Sequence, residues 1–226
     1  MQLTKKHGRI LGILFVLIIL LGSTSLNFRG LNSSLLASEN LLQQVYEQSF
    51  QMKLSIILNL LAGLLWLGIA IFLYPFIKNV SKSLAMWYVG LWIIHFAASL
   101  MGDIAHLSLI TLSKEVQTLV KPGLEIYNIT GTVLINEYFW GHFFSLMGYS
   151  SATFLLFIAF FKGKWIPQFI SIWGMGAMTV VFSATVAQIF DADVSFMFYQ
   201  QNGIHFIFMT LWLLIFGFKI TENKNG

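Results

Sequence analysis

Long apolar segments without ionised side chains constrain this chain more than any other feature. No Asp, Glu, Lys or Arg occurs between Ile10 and Phe28, or between Leu54 and Ile77. A helix needs about 20 predominantly apolar residues to cross roughly 30 Å of hydrocarbon. Of the 226 residues, 57% are hydrophobic and 10% are charged, whereas about 25% of residues are charged in soluble domains. The sequence therefore excludes a soluble domain and predicts an integral membrane protein.

The spacing of the apolar segments predicts an all-α bundle of six transmembrane helices. The whole chain, residues 1–226, forms one predicted transmembrane domain. Because hydrocarbon offers no hydrogen-bonding partners, each spanning segment must pair its backbone groups internally, as an α-helix does. The predicted spans cover about residues 8–26, 54–77, 84–110, 138–161, 168–190 and 204–220.

Two alternatives stay open near the N-terminus. The first span starts among Lys5, Lys6 and Arg9 and ends in small polar residues, so a cleaved signal peptide competes with a retained helix. Its apolar run is longer than that of a usual signal sequence, which favours the retained helix. Residues 35–52 mix apolar and polar side chains at helical spacing. This segment is either an amphipathic surface helix or an extension of the second span.

Residues 113–137 separate the third and fourth predicted spans. The sequence Lys121-Pro122-Gly123 interrupts any continuous helix there. The segment is therefore predicted to be a loop or lid on the outer side of the membrane.

Basic residues are distributed unequally between the two predicted sides. Cytoplasmic segments of membrane proteins are enriched in Lys and Arg, so the richer side, with both termini, is predicted to be cytoplasmic in a cell membrane. The same clustering accounts for the net charge of +4 without a nucleic-acid partner. The predicted partner is the lipid bilayer. Nine of the 13 basic residues fall on the richer side: Lys5, Lys6, Arg9, Lys78, Lys82, Lys162, Lys164, Lys219 and Lys224.

The chain contains no cysteine, which excludes disulfides, thiolate metal sites, iron–sulfur clusters and cysteine nucleophiles. It also has no glycine-rich phosphate loop, no GxSxG nucleophile elbow and no kinase signature. Any protein metal site must therefore use His, Asp or Glu.

Polar residues follow one face of the third span. His95, Ser99 and Asp103 are spaced by four residues, which places them on the same side of a helix. His95 falls near the predicted midplane, opposite Tyr149 and the neighbouring hydroxyls of the fourth span. Polar and ionisable residues inside spans indicate function by default. His95, Ser99 and Tyr149 are the predicted binding residues, and an interhelical hydrogen bond is the alternative role of His95.

Four residues near the predicted outer boundary form a candidate metal site, namely Asp103, His106, His142 and His205. Three imidazoles and a carboxylate suit zinc or another divalent ion. Hydrogen bonding between helices, or a place among lipid headgroups, is the structural alternative. Haem ligation by two of the histidines is a third alternative.

Three stretches together carry a family resemblance. They are Gly8 to Leu14 after a basic start, Leu73 to Ala85 across a polar turn, and Gly148 to Gly174 with its Lys162-Gly-Lys-Trp-Ile-Pro167 turn. The chain resembles the bacterial family of small six-span membrane proteins described as domain of unknown function 4386. The resemblance implies six spans in a bacterial inner membrane. It implies no activity, because these motifs are topological.

The predicted function is non-enzymatic binding of a small ligand, lipid or partner through an outward-facing polar pocket. The alternative is a metal-dependent membrane hydrolase, with the four candidate ligands and Glu137 as general base. A transporter is disfavoured, because no span is broken at its centre and no acidic residue lies at the predicted midplane.

Overall fold

The structure is a computed structural model that describes residues 3–36, 38, 40–117 and 124–219. Within these ranges the regular secondary structure is entirely helical. The helices are α1 (Lys5–Phe28), α2 (Ser33–Leu36), α3 (Leu41–Glu47), α4 (Ser49–Val80), α5 (Lys82–Val116), α6 (Leu124–Gly163), α7 (Gln168–Ile189) and α8 (Met197–Phe216).

Six long helices pack in a closed ring. Each of α1, α4, α5, α6, α7 and α8 contacts the next in that order, and α8 contacts α1. Short connections favour this arrangement, because consecutive helices then become antiparallel neighbours. Ser81 makes the turn between α4 and α5, and its hydroxyl accepts a hydrogen bond from the Leu84 N–H at 3.3 Å. This side-chain cap satisfies a backbone donor at the start of α5.

Five helices are long and apolar enough to cross a membrane: α1, α4, α5, α6 (from Glu125) and α7. The predicted membrane character is confirmed by these helices, and the chain is a multi-pass membrane protein. Their outer faces expose large apolar side chains such as Ile71 and Met101, which lipid accommodates and water does not. The sixth predicted span corresponds to α8, whose first half carries the polar run Gln200-Gln201-Asn202. That prediction extended to Ile220, but α8 ends at Phe216 because Gly217 takes a left-handed φ of 67°.

The basic ends of the long helices meet at one end of the bundle, called the basic end below. The His7 ring of α1 lies 5.2 Å from the Phe76 ring of α4. Beyond α8, the Lys219 N–H donates to the carbonyl of Trp165, between α6 and α7, at 2.8 Å. The start of α1, the α4–α5 and α6–α7 turns and the chain beyond α8 as far as Lys219 therefore lie on one side of the protein.

An aromatic core fills the half of the bundle nearer the basic end. Trp66 of α4 and Trp92 of α5 stack with ring centroids 4.5 Å apart. Phe15 of α1 and Phe206 of α8 both contact the Trp66 ring, at 5.5 and 5.6 Å. Buried aromatic pairs bury large areas and add a specific geometric preference. Four helices are thereby held around Trp66.

A smaller apolar cluster closes the opposite end of the bundle. Leu42 and Val45 of α3 pack with Leu109 of α5 and Ile135 of α6. The apolar face of α3 therefore packs on the end of the bundle, and Ser49–Met52 begin α4 as the extension alternative predicts.

The predicted loop over residues 113–137 is largely wrong. Residues 113–116 complete α5, and α6 already begins at Leu124. Packing of Ile135 in the smaller cluster gives this polar-looking segment a buried side, which stabilises a helix beyond its intrinsic propensity. The Lys121-Pro122-Gly123 break lies outside the described residues.

Candidate functional site

A cavity of about 310 Å³ lies among α1, α4, α5 and α6. It sits beyond the aromatic core, in the half of the bundle away from the basic end, and Trp66 forms part of its floor. Its wall combines apolar and polar side chains. The lining residues are Ile18, Gly22, Ser25, Leu26, Arg29, Asn59, Ala62, Gly63, Trp66, His95, Ser99, Gly102, Asp103, Tyr138, His142, Ser145, Leu146 and Tyr149.

Helical spacing explains why these residues share one cavity. On α5, His95, Ser99 and Asp103 recur every four residues, and on α6 Tyr138 and His142 do the same. Residues three or four apart lie on one helix face. Helices α5 and α6 therefore each turn a polar stripe toward the same space, and α4 adds Asn59.

Glycines allow α5 and α6 to approach closely beside the cavity. A Cβ atom on Gly141 would lie 2.6 Å from the Gly102 backbone nitrogen. A Cβ atom on Gly148 would lie 2.9 Å from the Cα of His95. Small residues at such crossings are typical of membrane helix packing. Here they bring His95 within hydrogen-bonding reach of α6.

An ion pair between the C-terminal end of α1 and α5 is the electrostatic centre of the site. Arg29 Nη1 donates to Asp103 Oδ1 at 2.6 Å, and the two residues are only 6% and 4% exposed. Desolvating two charges is costly, and their mutual attraction repays that cost only with good geometry and further hydrogen bonds. Asn59 of α4 supplies these further hydrogen bonds. Asn59 Nδ2 donates to Asp103 Oδ2 at 2.7 Å and to Ser99 Oγ at 2.9 Å.

Aromatic and imidazole rings surround the guanidinium side of this pair. Arg29 Cζ lies 5.3 Å from the centroid of the Tyr138 ring, within the range of a cation–π contact. The Tyr138 ring in turn lies 5.7 Å from the His106 ring and 6.2 Å from the His142 ring. His106 is buried, and neither ring nitrogen has a hydrogen-bond partner among the described residues.

The three predicted binding residues, His95, Ser99 and Tyr149, all lie on the cavity wall. His95 Nδ1 is 2.9 Å from both the carbonyl oxygen and the hydroxyl of Ser145. The His95 ring also lies 6.0 Å from the Tyr149 ring. His95 therefore contacts a hydroxyl of α6, as the interhelical alternative predicts. The hydroxyl belongs to Ser145, one helical turn from Tyr149.

The structure does not bring the four predicted metal ligands together. In the described part of the chain, no three His, Asp or Glu side chains are grouped so that they could hold a metal ion. Asp103 is engaged by Arg29 and Asn59. His205 instead lies against α7, where its Nε2 is 2.9 Å from the carbonyl oxygen of Ile170. The reason is the position of α8, which contacts α7 and α1 and has no contact with α5 in the described ranges.

Arg29, Tyr138 and Ser145 belong to the site but were not predicted from the sequence. Arg29 did carry a signal, because it is one of the few basic residues on the side predicted to be outside. A basic residue that directly follows a span on the side away from the cytoplasm is expected to pair with an acidic side chain. Tyr138 and Ser145 have no comparable signal, since aromatic and hydroxyl residues are frequent throughout α6.

The fold and the buried polar site define a multi-pass helical membrane protein with an internal cavity. The family described as Domain of unknown function (DUF4386) matches residues 10–217, and the chain belongs to it. The predicted family resemblance is thereby confirmed. No curated protein and no solved structure shows a significant similarity to the chain.

Proposed function

We propose that this membrane protein binds a small ligand in the cavity between α1, α4, α5 and α6 without catalysing a reaction. The observation that carries the proposal is the buried Arg29–Asp103 ion pair on the wall of that cavity. Ionised groups inside an apolar bundle are expensive and indicate functional sites. Polar groups converging on a largely apolar cavity are the usual arrangement of a ligand site.

The proposed topology has six spans with both termini in the cytoplasm. Helix α8 is the sixth span, because its 20 residues give a length of about 30 Å, matching the hydrocarbon thickness. The excess of Lys and Arg at the basic end favours the cytoplasm there. The cavity then belongs to the outer half of the protein in a cell membrane. Reporter fusions after Lys82 and Lys164 should report cytoplasm, and fusions near Glu125 should report the outside; the reverse pattern would overturn this orientation.

Binding is favoured over the hydrolase alternative by the contacts of the candidate ligands. Asp103, which would have to bind the metal, already accepts hydrogen bonds at both carboxylate oxygens. His205 is directed to the α7 backbone. A catalytic zinc needs three protein ligands around one point, and the described residues offer no such group.

Mass spectrometry of the intact protein, released gently from membranes, tests the proposal. The variant Ser99→Leu places a larger side chain on the cavity wall. The matched control is Ser108→Leu, the same change on the same helix at a position outside the cavity lining. Thermal unfolding of each variant establishes that it is folded.

We expect the wild type and Ser108→Leu to retain a bound small molecule that folded Ser99→Leu has lost. The smaller change Ser99→Ala keeps the space free and should preserve much of the binding. Retention by folded Ser99→Leu equal to that of the wild type would overturn the proposal, as would a wild type that carries no bound molecule.

A further inference from the structure

The cavity has an open side, called the gap, between α1 and α6, which are not neighbours in the ring of helices. Both helices line the cavity, yet within the described residues they make no backbone contact with each other. Helix α8 contacts α1 around Gly8, Gly12 and Phe15. The cavity-lining residues of α1 begin only at Ile18, further along the helix. These contacts of α8 therefore lie nearer the basic end than the cavity does.

Apolar residues border this gap. Gly22 and Leu26 of α1 and Leu146 of α6 lie on the cavity wall. Leu26 is 70% exposed, and Gly22 and His142 of α6 are also exposed, so the cavity is open to the surface at these residues. Exposed apolar surface of this kind is accommodated by lipid. Because α1 and α6 both have the length and composition of membrane spans, the gap faces the bilayer laterally.

The charges on the cavity wall balance each other. Among the described residues that line the cavity, Arg29 and Asp103 are the only Lys, Arg, Asp or Glu residues, and they are paired at 2.6 Å. A further charge brought into this low-dielectric space would have no counter-charge and would have to lose its hydration. The site therefore favours an uncharged polar group, which Asn59, Ser99 and Tyr138 can hydrogen-bond.

The size of the cavity limits how much of a ligand it can enclose. Its volume of about 310 Å³ stands at the lower end of the range of small-molecule pockets, roughly 300–1,000 Å³. A polar head fits inside, but a long hydrocarbon chain does not. The gap between α1 and α6 provides a path for such a chain into the surrounding lipid.

We infer that the ligand is an uncharged lipid that enters sideways between α1 and α6, places its polar head beside the Arg29–Asp103 pair and leaves its chains in the bilayer. This inference rests on the proposed function and specifies its ligand class. Gly22 is the position at which it can be tested with least damage to the fold. A Cβ atom there would have no described atom within 4 Å, so a large side chain can narrow the gap without a backbone clash.

The experiment compares Gly22→Phe with Gly68→Phe. Gly68 is an exposed glycine of α4 outside the cavity lining, and a Cβ there also meets no described atom within 4 Å. Each protein is incubated in phosphatidylcholine nanodiscs containing either dioleoylglycerol or dioleoylphosphatidate. These probes share their chains and differ in one phosphate group. Lipid that stays bound after gentle release is counted by mass spectrometry.

The wild type and Gly68→Phe should retain dioleoylglycerol. Gly22→Phe should retain about tenfold less, which corresponds to about tenfold weaker binding. Phosphatidate retention should be low in all three proteins. Preferential retention of phosphatidate would overturn the uncharged head, and equal retention of dioleoylglycerol by Gly22→Phe would overturn the lateral route.

Failure of this inference is distinguishable from failure of the proposed function. If dioleoylglycerol does not bind but the wild type still carries a molecule that Ser99→Leu loses, the lipid inference is wrong and the cavity remains a ligand site. If Ser99→Leu loses nothing, the proposed function itself is wrong.

Discussion

The two halves of the bundle differ in what fills the space between their helices. Toward the basic end, Trp66, Trp92, Phe15 and Phe206 fill the space between helices with stacked and tilted rings. Away from it, α1, α4 and α5 together with α6 enclose a cavity with a buried ion pair. Close packing gives the first half its stability, because each buried side chain removes apolar surface from its surroundings and gains dispersion contacts. The second half leaves space and holds charges, which is unfavourable unless a ligand or a hydrogen-bond network compensates.

This contrast separates residues that hold the fold from residues that define the site. Helix α5 shows both in one element, since Trp92 belongs to the aromatic core and Asp103, three turns further on, belongs to the ion pair. Mutations in the two halves should therefore differ in their effects on stability and on ligand binding.

The largest effect should follow from breaking the ion pair. Asp103→Ala leaves Arg29 buried without its partner, and such losses cost about 3–5 kcal/mol of unfolding free energy. The double variant Arg29→Met with Asp103→Leu should recover much of this loss, because no unpaired charge remains. Unfolding by added SDS in a mild detergent measures both. If Asp103→Ala unfolds at the same SDS fraction as the wild type, the pair is solvated and the contrast between the halves fails.

A core truncation should lower stability by a similar or smaller amount but leave binding intact. Leu213→Ala removes a fully buried side chain of α8 and should cost about 2–5 kcal/mol through lost contacts and the space left behind. Leu211→Ala, on the same helix but half exposed, is the control and should change stability little. Both folded variants should keep the ligand occupancy of the wild type. Loss of occupancy in Leu213→Ala alone would show that the two halves are energetically coupled.

The smallest of these effects concerns His95, at the boundary of the two halves. His95→Leu removes its contacts with Ser145 and should cost on the order of 1 kcal/mol, as single polar contacts between membrane helices do. His95→Lys should be far more damaging, because it adds a charge that has no partner. Equal SDS resistance of the two variants would place this side chain in water or among headgroups.

The sequence could predict most of the helices for a simple physical reason. Backbone N–H and C=O groups in lipid must form hydrogen bonds within their own segment. A long uncharged apolar run such as residues 54–77 therefore forms a helix. Residues 124–137 were predicted to be a loop, but they are helical. Their helix is stabilised by tertiary packing of Ile135 against the cluster around Leu109. No local signal reports such packing.

The site was predictable only in part. His95 and Ser99 share a helix face by spacing alone, and the polar run around Tyr149 marked the facing helix. The pairing of Arg29 with Asp103, 74 positions apart in the chain, depends on how α1 and α5 pack around α4. The position of His205 depends in the same way on α8, which directs its ring toward α7. The spacing of residues in the sequence shows which of them share one face of a helix. Which neighbouring helix that face contacts depends on how the six helices are arranged in the ring.

An experimental density map of the protein in nanodiscs made from native lipid tests the central claim most directly. The claim predicts non-protein density in the cavity, in contact with Asn59 and Ser99 beside the Arg29–Asp103 pair. The same density should be absent from a map of folded Ser99→Leu. A wild-type map in which ordered water alone fills the cavity, or in which α1 and α6 close the space entirely, would contradict the claim.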